Sequence, residues 1–378
     1  MYDTTDDPRI SPKVRRAVSK WASEEYDVEG EEKSLESYRR YVHSKWIFML
    51  ACVIIVIVVL GVAVTIGSYP IGFFESYEVI WNHITGNITN TTTDYIVIQL
   101  RLPRIVAGIV AGAGLAVAGA VMQSTLMNPL ADPYTTGVSS GASFGATIAM
   151  TVGFTVAEGS YAIVGNAFVF ALIPTAMIIV ISRMKNASPV TMIMAGTAIM
   201  YIFNAMTTVL MLWADPNQLE EVYTWQVGTL ATSTWDEIPI MAIVTAIGII
   251  VVWILSRKLN VLATGDESAN ALGVDASKMR VILMGVVSLM AAAIVSFTGL
   301  IGFVGLVVPH IVRIFIGPDN RYLIPASAIA GSALLVSADL VGRTILSPTI
   351  LQVGVVMAFI GGPVFLWILM RKDSRVWG

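Results

Sequence analysis

The chain has 378 residues, of which 56% are hydrophobic and 13% are charged, and its mean hydropathy is +0.75. Soluble domains carry about 25% charged residues, so this composition excludes an ordinary soluble enzyme. The net charge is −3, and nothing in the charge pattern suggests a nucleic-acid partner. The single cysteine, Cys52, excludes a disulfide scaffold and a cysteine-based metal cluster.

Charge is concentrated at the start of the chain. Residues 1–45 hold 10 acidic and 9 basic side chains, which is 19 of the 49 charges in the sequence. The first long apolar run begins only at Trp46, after many acidic residues, and this order argues against a cleaved signal peptide. We therefore expect residues 1–45 to form a polar tail.

Long charge-free stretches fill the rest of the sequence. They run over 47–67, 105–131, 133–157, 159–182, 186–214, 238–256, 281–312, 322–338 and 344–370. Lipid offers the backbone no hydrogen-bond partners, so spans of this length must be helices. The stretch 281–312 is too long for one span, and Gly302, Gly305 and Pro309 predict a break within it. The sequence thus predicts an all-α polytopic membrane protein with about ten transmembrane helices.

Basic residues after the tail favour one side of the membrane. With the N-terminus inside and ten crossings, eleven of the fourteen basic residues after residue 45 fall on the cytoplasmic side. The positive-inside rule therefore places both termini in the cytoplasm. We expect a cytoplasmic tail over 1–45, a transmembrane domain over 46–372 and a cytoplasmic C-terminus over 373–378.

Two predicted helices carry small residues at every fourth position. These residues are Gly108, Gly112, Ala116 and Ala120 in one helix and Gly137, Gly141, Gly145 and Ala149 in the next. Such stripes let membrane helices approach closely, so we interpret them as packing faces, with a pore lining as the alternative. Either arrangement gives a compact bundle, and a large solute would pass between two subunits rather than through one.

Motifs for an internal energy source are missing from the sequence. It contains no phosphate-binding loop of the G-x-x-x-x-G-K-[ST] type. Ion-coupled carriers place ionisable groups at mid-membrane, whereas the predicted spans hold hardly any carboxylate apart from Asp339, near a helix end. We expect a transporter whose energy source lies outside the chain, and an ion-coupled secondary transporter is the alternative.

Several stretches of the chain together resemble one family. Residues 101–145 read RLPRIVAGIVAGAGLAVAGAVMQSTLMNPLADPYTTGVSSGASFG, 225–235 read WQVGTLATSTW, 264–274 read TGDESANALGV, 299–325 read GLIGFVGLVVPHIVRIFIGPDNRYLIP and 353–367 read VGVVMAFIGGPVFLW. Over about residues 46–372 the chain resembles the FecCD permeases, the membrane subunits of ATP-binding-cassette (ABC) importers for ferric siderophores, haem and vitamin B12.

The resemblance implies a fold like that of the vitamin B12 permease, the type II ABC importer fold, and a homodimer with its path along the twofold axis. It also implies two ATPase subunits on the cytoplasmic face, which bind ATP and Mg²⁺, and a substrate-binding protein on the outer face. The chain would be a permease in the cell membrane and not an enzyme, with no cofactor, catalytic residue or metal of its own. An iron chelate is the first expected substrate and a corrinoid the second, with haem or an oxyanion left open.

The loop over 258–279 is the candidate contact with the ATPase. Two short helices broken by glycine could fit a groove on a partner, with an acidic pair facing a basic rim. In similar permeases this loop is the coupling element, and the alternative is a solvated loop between helices. The coupling candidates are Gly265, Asp266, Glu267, Ala271, Leu272 and Gly273.

Three arginines fall on the predicted outer side. Arg101 and Arg104 begin a helix, and because positions i and i+3 share a face, both guanidiniums could reach one partner. Arg343 ends another helix. In the vitamin B12 permease, arginines at matching positions receive glutamates of the binding protein. The alternatives are an i, i+4 pair of Arg343 with Asp339, and lipid-headgroup anchoring for the other two.

A cytoplasmic gate is expected after the second helix. Matching residues in relatives line a gate, and Asn128, Pro129 and Leu130 would form a polar and then apolar constriction. The alternative is that the first two of these residues cap and turn the chain. Ser188, before Pro189, is a weaker gate candidate.

Overall fold

The computed structural model of the protein describes residues 28–67, 69–184 and 188–370. Residues 1–27 of the predicted tail and the predicted C-terminus over 373–378 lie outside the described residues. Every regular element in the described ranges is helical. The predicted all-α fold is therefore confirmed.

Fifteen α-helices, with a π-helical turn over Ile96–Arg101, form the described part of the chain. The helices are α1 (Val28–Thr65), α2 (Phe73–Thr85), α3 (Thr91–Tyr95), α4 (Leu102–Thr125), α5 (Val138–Val152), α6 (Ala162–Met184), α7 (Pro189–Met211), α8 (Pro216–Val227), α9 (Ile238–Ile254), α10 (Ser256–Leu262), α11 (Asp266–Ala271), α12 (Ala276–Thr298), α13 (Val304–Ile316), α14 (Asn320–Thr344) and α15 (Val353–Met370).

The helices account for the predicted spans. Among the described residues, six helical segments are long and apolar enough to cross a membrane, or seven if α9 and α10, bent by 60°, count as one span. Three shorter apolar helices, α5, α13 and α15, bring the number of apolar helical segments in the described residues to nine, or to ten with the bent pair. Each lies within or overlaps one of the predicted charge-free stretches.

Helix α4 is the buried centre of the bundle, and it packs against α9, α12, α13 and α14. Its small residues permit this crowding. A Cβ atom on Gly112 would meet the backbone of Gly331 in α14, and one on Gly119 would meet the backbone of Gly305 in α13. On α5, a Cβ atom on Gly141 or on Gly145 would likewise meet the backbone of α6. These contacts support the interpretation of the stripes as packing faces.

The predicted break in the long stretch 281–312 is confirmed, but Gly305 and Pro309 lie inside the second helix and do not form the break. The chain leaves α12 at Gly299, with φ of +67°, and enters α13 at Phe303, also with φ of +67°. Pro309 lies inside α13 and does not end it. A proline removes the hydrogen bond to the carbonyl four residues earlier, here that of Gly305, and Gln123 Nε2 of α4 donates to that oxygen at 3.3 Å. The tertiary partner therefore lets the helix continue through the proline.

Candidate functional site

The predicted coupling loop folds into two short helices, as expected, with a glycine between them. Helix α10 is followed by a turn, and Gly265 precedes α11 with φ of +106°. Gly273 follows α11 with φ of +80°. Backbone at these positive φ angles favours glycine over other residues. The two glycines therefore fix where α11 starts and where the chain turns into α12.

One side of this loop forms an exposed surface, which we call the coupling surface and define as Glu267, Ala271 and Leu272. The Leu272 side chain is 69% exposed, although leucine is ordinarily buried. Glu267 and Ala271 are also exposed, and Ala269 on the opposite side of α11 is fully buried. The arrangement presents an apolar side chain beside a carboxylate, which suits a partner with an apolar groove and a basic rim.

Asp266 has a partner inside the chain and is not a free acidic group. Arg280 of α12, whose side chain is fully buried, donates from Nη2 to Asp266 Oδ1 at 2.6 Å and from Nη1 to Oδ2 at 3.3 Å. Its Nε donates to the Thr125 carbonyl at 3.2 Å, at the end of α4. Arg280 therefore ties the start of α11 to the end of α4. The Asp266 side chain is still 40% exposed, so its place in an acidic pair that faces a partner stays a prediction.

A second set of polar contacts ties α10 to the same end of α4. Asn260 Nδ2 donates to Asp319 Oδ1 at 2.8 Å, and Asn260 Oδ1 accepts from the backbone N of Asn320 at 2.8 Å. Ser124 of α4 donates to Asn320 Oδ1 at 3.1 Å. Burial opposes ionisation of Asp319, but hydrogen bonds from Arg321 and Asn260 prevail and lower the pKa of its carboxyl to about 2. The carboxylate is therefore charged at neutral pH and holds the start of α14 to α10.

The predicted gate residues lie in the turn directly after α4. Asn128 Oδ1 accepts from the backbone N of Leu130 at 2.9 Å, and the Asn128 backbone N donates to the Gln123 carbonyl at 3.1 Å. The turning role that we weighed for Asn128 is thus present. Leu130 is 44% exposed, so its side chain is available to a partner or a solute. The gate role stays a prediction.

Ser188 has a local role at the start of α7. Its Oγ accepts from the Thr191 backbone N at 3.1 Å and lies 2.8 Å from Thr191 Oγ1. Ser188 is therefore the N-cap of α7, a position that serine favours because its oxygen satisfies a free backbone N–H. Its proposed gate role stays a prediction.

The arginine pair at the start of α4 does not share a partner. Arg101, at the end of the π-helical turn, donates to the carbonyls of Val64 and Thr65 at 2.7 Å and of Tyr69 at 2.6 Å. The last carbonyls of a helix have no partner within it, so Arg101 caps the end of α1. Arg104 instead bonds Asp339. Within this chain the two guanidiniums bind different groups, and their joint contact with a docking partner stays a prediction.

Arg104, Arg343 and Asp339 form a buried charge cluster. Arg104 donates to the Asp339 carboxylate from Nε at 2.9 and 3.0 Å and from Nη2 at 2.7 Å. Arg343 Nε lies 3.2 Å from Asp339 Oδ2, so the i, i+4 pair that we weighed is confirmed. Arg343 Nη1 also reaches the carbonyls of Ala63 and Ile66. All three arginines are at most 7% exposed, so their docking role stays a prediction.

Replacing Arg104 with leucine is expected to destabilise the protein by about 3 kcal/mol, near the lower end for a broken buried ion pair because Arg343 still neighbours Asp339. Thermal unfolding in detergent measures the effect as a fall in Tm. The matched control is Arg321→Leu, which breaks a pair whose arginine side chain is 45% exposed and should cost below about 1 kcal/mol. Equal falls in Tm would contradict a structural role for the buried pair.

No group of three or more His, Cys, Asp or Glu side chains that could hold a metal ion occurs in the described ranges. The single cysteine, Cys52, is buried in α1.

Comparison with known proteins gives a consistent picture. The family model of the FecCD transport family matches residues 53–371. A cobalamin import system permease protein of Halobacterium salinarum is 40% identical over 55% of this chain and 56% of its own length. A probable iron chelatin transport system permease protein of Helicobacter pylori is 32% identical over 85% of this chain and 96% of its own length.

A solved structure shares the fold. It is described as an inward-facing conformation of a metal-chelate type ABC transporter, and it aligns with a TM-score of 0.75 and 26% identity over 85% of this chain and 98% of its own. The chain spans only part of the length of two curated relatives. The alignment covers 56% of the relative that is 40% identical and 62% of the relative that is 42% identical.

Proposed function

Because the chain belongs to the FecCD transport family, we propose that it is the membrane-spanning permease subunit of an ABC importer that moves a metal chelate into the cytoplasm. The observation that carries this proposal is the coupling surface, an exposed leucine beside a carboxylate on a loop that Arg280 and Asn320 connect to α4. A loop that only links two helices needs neither the exposed leucine nor the buried arginine behind it.

The proposed assembly supplies what the chain lacks. Two copies of the chain would form a homodimer, and two ATPase subunits would bind ATP and Mg²⁺ and contact the coupling surfaces. The charge asymmetry of the sequence supports a cell-membrane location with both termini in the cytoplasm. ATP hydrolysis would then move α11, and through Arg280 the end of α4, where Asn128, Pro129 and Leu130 would form the cytoplasmic gate.

A substrate-binding protein would dock at the opposite end of the bundle. There Arg343 Nη2 is buried and has no hydrogen-bond partner among the described residues, so it can still donate to a carboxylate if this end opens. Charge reversal of Arg104 is a poor test of docking, because a glutamate at this buried position would face Asp339. A test of docking should instead compare Arg343→Lys with the unchanged chain.

We infer the substrate class from what the relatives are named for, and not from a binding site in this chain. The relatives reported above are named for cobalamin and for iron chelatin, and the solved neighbour is described as a metal-chelate type. We propose an iron chelate first and a corrinoid second. Both are bulky solutes, which suits passage between two subunits.

Mass spectrometry of the complex purified from native membranes in mild detergent tests this proposal. We expect an ATPase subunit at about one per copy of this chain, with a binding protein beside it at lower occupancy. The control is a Leu272→Asp variant purified in parallel, which should lose the ATPase and keep its own oligomeric state. Isolation of the chain without an ATPase in any detergent would contradict the proposal and favour the ion-coupled carrier.

A further inference from the structure

Helix α2 has three distinct faces. Its buried face contains Ser76 and Val79, which pack into the bundle. Its polar face carries Glu75, Glu78 and Asn82. The third face is apolar and exposed, and its members are Phe73 at 50%, Phe74 at 85%, Tyr77 at 41%, Trp81 at 66% and Ile84 at 72% exposure. Since successive residues of a helix are about 100° apart, these five side chains fall within an arc of about 100°.

This aromatic face adjoins the end of a long apolar helix, α1, that is largely exposed. Only 22% of the most apolar segment of α1 is buried against the rest of the chain. The side chains of Ile54, Ile57 and Val58 are each more than half exposed. Helix α2 begins eight residues after α1 ends, and the Tyr77 hydroxyl lies against Gly61, in the last two turns of α1. The aromatic face of α2 is therefore next to the place where α1 reaches the membrane surface.

The composition of this face fits the boundary between hydrocarbon and headgroups. Tryptophan and tyrosine concentrate at that boundary because one part of the ring is apolar and the other polar. A helix with one apolar and one polar face lies in the plane of the interface. The exposed acidic groups of α2 are Glu75 and Glu78, and its basic residue, His83, pairs with Asp94, so attraction to anionic lipids would not hold the helix there.

We propose that α2 is an in-plane interfacial helix, with its aromatic face inserted in the lipid at the membrane surface and its glutamates in water. It anchors the connection between α1 and α4 to the bilayer. The binding is driven by apolar burial, so it occurs on zwitterionic lipid and is insensitive to salt. This inference is independent of the transport function.

Spin labelling tests the inference, because Cys52→Ser gives a chain with no cysteine. Single cysteines replace Phe74 or Ile84 on the aromatic face, and Glu78 on the polar face is the matched control. The labelled full-length chains are placed in phosphatidylcholine nanodiscs, and collision rates with oxygen and with a water-soluble nickel complex are measured. We expect the oxygen-to-nickel ratio to be at least about threefold higher at the two aromatic-face positions than at Glu78, at low and high salt.

Two outcomes would overturn the proposal. Equal ratios at all three positions would place the aromatic face in water, and protection of Phe74 and Ile84 from both reagents would place it against protein, such as a second copy of the chain. A second measurement needs no cysteine variant. Lipids with brominated tails should quench tryptophan fluorescence less in the Trp81→Phe chain than in the unchanged chain, and an unchanged degree of quenching would also overturn the proposal.

Discussion

Replacing Leu272 with aspartate is expected to reduce ATP-driven uptake by about thirtyfold, because losing one well-packed interface side chain costs about 2 kcal/mol. Leu272 is 69% exposed, so the chain itself should keep its stability. The measurement is uptake into proteoliposomes that contain the assembled importer, together with the amount of ATPase that remains bound.

The control for this variant is Ser277→Asp, which adds the same charge at an exposed position of the same loop. Position 277 lies in the first turn of α12, where an acidic residue is favourable. We expect it to bind the ATPase and to transport at the normal rate. Equal losses in the two variants would mean that added charge anywhere in the loop is harmful, and the coupling surface would lose its assignment.

Replacing Arg280 with methionine is expected to uncouple ATP hydrolysis from transport. Arg280 holds Asp266 at the start of α11 and the Thr125 carbonyl at the end of α4. Methionine keeps much of the buried volume but makes neither contact. Couplings between sites are typically about 1–3 kcal/mol, so we expect about tenfold less solute moved per ATP hydrolysed, with the ATPase still bound.

The ratio of solute moved to ATP hydrolysed separates this role from a structural one. A chain that only folds poorly would lower uptake and hydrolysis together and leave their ratio unchanged. Asp266→Asn removes the ion pair but keeps the shape of the side chain. It should therefore lower the ratio of solute moved to ATP hydrolysed less than Arg280→Met does. Lys278→Met, at an exposed lysine two residues away on the same helix, is the matched control and should leave the ratio unchanged.

The membrane helices could be predicted because lipid imposes a simple rule on the sequence. Every charge-free stretch of sufficient length contains a helix in the structure, since the backbone has no other way to satisfy its polar groups. Helix α8 was missed, although Asp215, Pro216 and Gln218 form a recognisable start signal with a capping box. Helix α2 was not predicted, because Glu75 and Glu78 interrupt its apolar residues and it falls in no long charge-free stretch.

The partners of the charged residues could not be predicted from spacing. Arg280 lies 155 residues from the carbonyl that it binds, and Arg104 lies 235 residues from Asp339. An i, i+3 rule places two arginines on one face of an α-helix, but Arg101 belongs to a π-helical turn and reaches α1 instead. The family resemblance therefore pointed to the loop over 258–279 and to the turn after α4 as candidates, while the contacts that join them depend on the tertiary fold.

The central claim is that this chain moves solute only when an ATPase drives it. The most direct test is uptake of a radioiron-loaded hydroxamate chelate and of radiolabelled cobalamin into proteoliposomes that contain the purified importer. The account predicts uptake of at least one of the two probes that requires ATP and persists when ion gradients are collapsed. Uptake that follows an ion gradient without ATP would contradict it.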